Sequence, residues 1–191
     1  MAGIAGPHSV VVSTYKKREK MSEVSNLKSY SSDQTTEIVL VLDESSSMDG
    51  LQDQTIQNLN DFFDSQRKVA GEAFVTVVKF CSSVSLAVDA SPIGRLEKFS
   101  HYNYSPNGST ALLDAVGMSI VNTNARFAEM DNTRRPSKVI FVILTDGEEN
   151  CSHRFNRSEI KTMIQDQETN FGWDFLYLGA NQNAFSVGKT M

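Results

Sequence analysis

Residues 38–47 read IVLVLDESSS, an apolar run followed directly by an acidic and hydroxyl-rich segment. Five consecutive aliphatic residues without polar alternation predict a strand that is buried on both faces, as in a parallel sheet. In an extended segment, Asp43, Ser45 and Ser47 project to the same side. Because carboxylate and hydroxyl oxygens suit a hard cation, their position at the end of a buried strand predicts half of a Mg²⁺ or Mn²⁺ site. A solvated turn rich in Ser and Asp is the alternative that these residues alone leave open.

Patterns of strands alternate with helical patterns along the rest of the chain. Strands are predicted at residues 36–42, 73–80, 84–88, 139–144 and 173–178, and helices at 56–69, at 112–120 and after Ser158 as N-cap, with a helical turn at 93–99. This order predicts a three-layer α/β/α fold, with a doubly wound, mostly parallel sheet and one antiparallel edge strand. Right-handed crossovers then bring the carboxyl ends of the parallel strands to one edge of the sheet, where ligands bind.

Composition excludes several classes of protein. A chain of 191 residues suits one domain with an appendage, and a net charge of −5 argues against a general nucleic-acid-binding surface. No apolar run approaches the roughly 20 residues of a membrane span, so we expect a cytoplasmic protein that does not bind membranes. Two cysteines, Cys81 and Cys151, make no disulfide framework, and we expect free thiols in a reducing compartment.

Residues 1–34 differ in composition from the rest and are predicted to be an extension of a domain at 35–191. Small and polar residues dominate this extension, which is typical of a flexible tail. Residues 10–15 offer a second interpretation, an arm that pairs as an edge strand on this subunit or another. Met21 is also an alternative start for a shorter product.

Two later loops bring matching oxygen ligands to the same edge of the predicted sheet. Thr110 ends a Gly-Ser-Thr sequence at the start of the second helix, and Asp146 follows the fourth strand in Thr-Asp-Gly. Together with Asp43, Ser45 and Ser47, these residues resemble the metal-ion-dependent adhesion site of a von Willebrand factor type A (VWA) domain. That family places Asp-x-Ser-x-Ser, a Thr and an Asp-Gly after the same elements. The resemblance covers about residues 35–187. It is greatest, over 36–43, 108–115 and 175–181, for small single-domain versions from bacteria and phages.

The resemblance implies a Rossmann-like fold and a binding function that depends on a divalent metal. In such a site Ser45, Ser47 and Thr110 bind Mg²⁺ or Mn²⁺ through hydroxyl oxygens, and Asp43 and Asp146 bind it directly or through water. Three neutral ligands and two acids leave the ion under-neutralised, so it recruits an Asp or Glu carboxylate of a protein partner. Small intracellular members of the family also act with MoxR-type AAA+ ATPases, and we expect such a complex as a partner.

The family sheet usually has six strands, whereas this chain is expected to stop in the helix after its fifth strand, which gives a truncated sheet. An edge strand without a neighbour is a pairing liability. We therefore expect self-association through that edge or through the N-terminal extension.

Two other classes of function remain open from the sequence. A metal-assisted phosphohydrolase would use the same ion, but no general base or nucleophile with a partner is evident, so we expect no enzyme activity. A phosphotransferase of the haloacid dehalogenase type would need a second Asp where this chain has Ser45. The other class is a structural or oligomerising protein with a vestigial metal site.

Glu148 and Glu149 are expected either to repel some acidic partners or to form a solvated turn.

Overall fold

The structure is a computed structural model that describes residues 35–69 and 71–180. Its strands are β1 (Thr35–Asp43), β2 (Glu72–Phe80), β3 (Val84–Pro92), β4 (Lys138–Thr145) and β5 (Asp174–Gly179). Its α-helices are α1 (Gln52–Gln66), α2 (Leu112–Glu129) and α3 (Arg157–Phe171), and short 3-10 helices cover Ser46–Leu51, Ile93–Arg95 and Asn132–Arg134.

The five strands form one sheet in the order β3-β2-β1-β4-β5. Strand β1 is parallel to β2 and β4, β4 is parallel to β5, and only β3 is antiparallel to its neighbour. The chain moves from β1 to one side through β2 and β3, then returns to the other side of β1 for β4. The predicted doubly wound sheet is therefore confirmed, and its switch point lies between β1 and β4.

Strand β1 forms the centre of two hydrophobic cores. Ile38, Leu40 and Leu42 face the core on the side of α1, while Val39 and Val41 face the core on the side of α2 and α3. All five side chains are at most 2% exposed. Because both faces are tightly packed, the end of β1 is held firmly, and so are the residues that follow it.

Some element boundaries differ from the prediction. The N-cap of α3 is Asn156 and not Ser158: the Asn156 side chain accepts hydrogen bonds from the backbone N–H groups of Ser158 and Glu159, which forms a capping box. Strand β3 continues to Pro92, and the helical turn expected at 93–99 shortens to Ile93–Arg95. The helix expected after Gly179 and the N-terminal extension lie outside the described residues. Within the described residues, no helix is long and apolar enough to cross a membrane.

Candidate metal centre

Asp43 is the last residue of β1, and its side chain is fully buried. Its Oδ1 accepts a hydrogen bond of 2.7 Å from the backbone N–H of Ser45, and its Oδ2 accepts one of 2.6 Å from Oγ1 of Thr145 at the end of β4. Strands β1 and β4 pair as far as Leu42 and Leu144, which brings their carboxyl ends side by side. Asp43 thus joins the loop after β1 to the loop after β4 and orients both.

The hydroxyl groups after β1 form a short row that leads to Asp146. Ser45 Oγ and Ser47 Oγ are hydrogen-bonded at 3.0 Å, and Ser47 Oγ donates a hydrogen bond of 2.9 Å to Asp146 Oδ1. Ser45 is buried whereas Ser47 is exposed, so the row runs from the interior to the surface. Four of the five predicted ligands, Asp43 included, are connected in this way.

Thr110 reaches the same place from the loop that precedes α2. A Cβ atom built on Gly147 would lie 3.2 Å from Ser47 Oγ and 3.2 Å from Thr110 Oγ1. Both hydroxyls therefore face the same small space, which exists because residue 147 has no side chain. Thr110 itself is only 3% exposed, so its surroundings are fixed. The structure brings together all five residues that the sequence singled out.

The loop before α2 lies against the loop after β1 through backbone hydrogen bonds. Ser46 N donates to Gly108 O at 3.0 Å, and Asn107 N donates to Glu44 O at 2.6 Å. Gly108 has a φ of 74°, and a Cβ atom there would lie 2.6 Å from Ser82 Oγ. A glycine at this position therefore permits the close approach of the loop before α2 to the turn between β2 and β3, where Ser82 lies.

The loop after β4, residues 146–156, caps the start of α2. Asn150 Oδ1 accepts a hydrogen bond of 2.8 Å from Thr110 N, and Asn150 N donates one of 3.1 Å to Thr110 O. Glu149 Oε2 accepts a hydrogen bond of 2.8 Å from Leu113 N. The N-cap residue of α2 makes no side-chain cap of its own, so this loop supplies partners for its first N–H groups.

The solvated turn expected as one role of Glu149 is wrong, because its carboxylate accepts hydrogen bonds from within the fold. Its expected effect on acidic partners stays a prediction. Besides capping Leu113, it accepts hydrogen bonds from the backbone N–H groups of Cys151 and Ser152 and from the Ser152 hydroxyl. Burial raises the pKa of Glu149, but these hydrogen bonds outweigh it, and the pKa lies below its ordinary value. Glu148 is exposed, as expected of a surface turn.

Asp114, in the first turn of α2, binds the same loop through its own carboxylate. Its backbone N–H donates to Ser152 Oγ at 3.0 Å, and its carboxylate accepts from the backbone N–H groups of His153, Arg154 and Phe155 at 2.8–3.0 Å. Burial raises the pKa of Asp114, but the three backbone donors together lower it below its ordinary value. The motif pattern did not single out Asp114, for which the available signal was an acidic side chain in the first turn of a helix.

Tyr104 and Lys79 also support the site and were missed. Tyr104 is fully buried, and its hydroxyl donates a hydrogen bond of 2.9 Å to the backbone O of Asp43. Lys79 Nζ donates to Glu44 Oε1 at 3.0 Å, and Ser105 N donates to the same oxygen at 3.1 Å. Residues 103–110 have a loop composition that carries no periodic pattern, so the sequence did not indicate these contacts.

The electrostatics of the site suit a bound cation. Burial raises the pKa of the Asp43 carboxyl above its ordinary value even though hydrogen bonds from Thr145 and Ser45 lower it, and the neighbouring Asp146 raises it too. A divalent cation next to both carboxylates would favour their charged forms. Two carboxylates and three hydroxyls are hard oxygen donors, and the hydroxyls of Ser47 and Thr110 face the same space beside Gly147. These residues therefore fit Mg²⁺ or Mn²⁺.

Other metal chemistry has no support in the described part of the chain. Between residues 35 and 180, Ala70 excepted, no group of three or more His, Cys, Asp or Glu side chains is placed to hold a metal ion.

The comparison with known families agrees with the fold described above. Residues 37–184 match the family model of the von Willebrand factor type A domain. The chain belongs to this family. VWA domains commonly mediate protein–protein interactions, and the Rossmann-like sheet described above is the fold expected of one.

Solved structures resemble the VWA domain of this chain at low sequence identity. A von Willebrand factor type A protein from Catenulispora acidiphila is 16% identical with a TM-score of 0.49, over 77% of this chain and 33% of that one. Proximal thread matrix protein 1 from the mussel byssus is 18% identical with a TM-score of 0.51, over 78% of this chain and 36% of that one. The match thus spans about a third of each of these structures, and the second one supports the fold alone. Among curated proteins, none matches this chain.

Proposed function

We propose that this VWA domain binds a divalent cation and that the cation binds an Asp or Glu carboxylate of a protein partner. The cation is Mg²⁺ or Mn²⁺, and its ligands are Asp43, Ser45, Ser47, Thr110 and Asp146. One observation carries the proposal: the hydroxyls of Ser47 and Thr110 face the same space beside Gly147, with Asp146 hydrogen-bonded to Ser47. When bound, the ion supplies a positive centre with exchangeable water ligands.

The ligand residues have different tasks in this proposal. Asp43 is buried and both of its carboxylate oxygens already accept hydrogen bonds, so it orients its neighbours and contributes negative charge. Ser47 is exposed and Asp146 is half-buried. A partner carboxylate therefore approaches from the side of Ser47 and Asp146, where solvent reaches the site.

We infer that the domain acts by binding and not by catalysis. A phosphohydrolase needs a nucleophile or general base that is free to react. Asp43 stands at the strand end where such a nucleophile would lie. However, its Oδ1 is bound by Ser45 N and its Oδ2 by Thr145 Oγ1. We expect no turnover of generic phosphoesters in the presence of Mg²⁺, and turnover that is lost in Asp43→Ala would contradict this inference.

Metal binding is tested by isothermal titration calorimetry of the purified chain with Mg²⁺ and Mn²⁺. The informative variant is Asp146→Asn, and the matched control is Glu148→Gln, because Glu148 is exposed and lies two positions away. We expect Asp146→Asn to lower the affinity at least about tenfold and Glu148→Gln to bind as the wild type does. Equal losses in both variants, or no saturable binding by the wild type, would overturn the proposal.

Partner binding is tested by affinity capture with and without EDTA, read by mass spectrometry. We propose a cytoplasmic partner, with a MoxR-type AAA+ ATPase as the class that the family resemblance suggests. Capture that needs the divalent ion and is lost in Asp146→Asn supports the proposal. Assembly that is indifferent to both changes favours the structural alternative. Self-association through the β5 edge or residues 1–34 is a separate proposal, and a monomer by light scattering at working concentration would exclude it.

A further inference from the structure

We propose that Cys81 and Cys151 form a reversible disulfide across the loops of the candidate metal centre. The chain contains two cysteines, and both are free and partly exposed in the structure. Cys81 directly follows β2, whereas Cys151 lies in the loop after β4 that also carries Asp146. The proposal concerns the two thiols and does not require a bound metal.

The two cysteines are already neighbours in the folded chain. Cys151 Sγ lies 4.0 Å from the backbone O of Cys81, at the limit of a weak S–H···O contact. Burial raises the pKa of the Cys151 thiol, and the negative charges of Glu149 and Asp114 and the nearby Cys81 thiol raise it further. Loop 146–156 is held mainly by side-chain contacts rather than by a strand ladder. A disulfide needs the two Cβ atoms about 3.5–4.5 Å apart, so its formation requires this loop to bring Cys151 to that separation from Cys81.

The segment Thr110–Ala111 contacts both Cys81 and the residue before Cys151, and it carries the predicted ligand Thr110. Ala111 N donates a hydrogen bond of 2.8 Å to Cys81 O, and Asn150 N donates one of 3.1 Å to Thr110 O. Residue 81 thus holds this segment from one side, and the residue before Cys151 holds it from the other. A disulfide would make the same connection covalent and would restrict the movement of the Thr110 segment relative to the loop after β4.

The oxidation is balanced with hydrogen peroxide as the oxidant. One thiolate attacks a peroxide oxygen and becomes a sulfenic acid, with release of hydroxide that takes up a proton as water. The second thiol attacks that sulfur, the S–S bond forms, and the sulfenic oxygen leaves as water. Two thiols and one peroxide therefore give one disulfide and two waters, and a dithiol reductant reverses the bond by exchange.

The test is oxidation of the purified folded chain with hydrogen peroxide at about pH 8.5, because the thiolate is the form that reacts with the peroxide. Intact mass under non-reducing conditions should show a monomer that has lost two hydrogens, about 2 Da, and that resists alkylation until dithiothreitol is added. Because the bond closes a long loop, we expect the Tm of the oxidised chain to rise by roughly 5–10 °C.

Cys81→Ser and Cys151→Ser are the matched controls, since each leaves a single thiol in the chain. Neither should give the oxidised monomer, and the peroxide should not raise the Tm of either variant. Wild-type chain that yields only sulfinic acids, or only disulfide-linked dimers, would overturn the proposal. A cross-linked monomer with an unchanged Tm would overturn the inference that the bond clamps these loops.

Discussion

Ser47 Oγ donates a hydrogen bond of 2.9 Å to Asp146 Oδ1, although these residues are 99 positions apart in the chain. Ser47 follows β1 and Asp146 follows β4, and these two strands are parallel neighbours at the point where the strand order reverses. The contact is therefore a direct consequence of the topology, which places the loops after both strands at one edge. The site exists because that edge collects residues that the sequence keeps apart.

Replacement of Ser47 by alanine should weaken Mg²⁺ binding at least about tenfold, because it removes a hydroxyl that bridges Ser45 and Asp146. Ser46→Ala is the matched control, since Ser46 is exposed and precedes Ser47 in the same loop. Calorimetric titration of both variants measures the difference. If the two variants bind equally well, Ser47 is not a ligand.

Gly147→Ala should abolish Mg²⁺ binding with little loss of stability. The new methyl group would lie 3.2 Å from the hydroxyl oxygens of Ser47 and Thr110 and would occupy the space where the ligands converge. Gly50→Ala is the control, because a Cβ atom on Gly50 meets nothing within 4 Å. Titration gives the affinity and thermal unfolding gives the stability. Normal binding by Gly147→Ala would show that the ion does not occupy that space.

Tyr104→Phe should lower the free energy of unfolding by about 1–2 kcal/mol, because the buried hydroxyl that donates to the backbone O of Asp43 is lost. Tyr102→Phe should leave stability unchanged, since the Tyr102 side chain is fully exposed. Urea unfolding of both variants at neutral pH makes the comparison. Similar stabilities of the two variants would mean that the Tyr104 hydroxyl does not brace the end of β1.

Asp114→Asn should destabilise the domain in a pH-dependent way. The pKa of Asp114 is lowered from 3.8 by folding, so the charged carboxylate contributes stability that is complete above that pH and is lost as the pH falls through the folded-state value. At pH 7 we expect the variant to be about 1–3 kcal/mol less stable than the wild type, since three backbone N–H groups lose a charged acceptor.

The measurement for Asp114→Asn is urea unfolding of wild type and variant at neutral pH and at roughly pH 3. The difference in unfolding free energy should shrink at the acidic pH, because the wild-type carboxyl is then increasingly protonated. Asp131→Asn is the control at an exposed aspartate, and it should show little difference at either pH. A difference that is constant with pH would contradict a depressed pKa of Asp114.

Motif spacing predicted all five candidate ligands, because each lies next to an element with a clear pattern: four end or follow a strand, and Thr110 precedes helix α2. The residues that position them were not predicted. The sequence indicated a surface acid at Glu149, yet its carboxylate caps the backbone N–H of Leu113. The sequence predicted Ser158 as the N-cap of α3, yet Asn156 has that role. Both residue types accept hydrogen bonds as caps, and only the path of the preceding loop selects one of them.

Sequence patterns were enough to predict the alternation of strands and helices, the buried central strand and the edge at which the polar motifs meet. They were enough because hydrophobic periodicity and the handedness of crossovers act on patterns that are local in the chain. The groups that support the site became visible only in the folded chain: Tyr104 bound to the Asp43 backbone, the 146–156 loop at the start of α2, and Cys151 beside Cys81. These contacts join residues that are remote in sequence and depend on how loops pack, which no periodic pattern encodes.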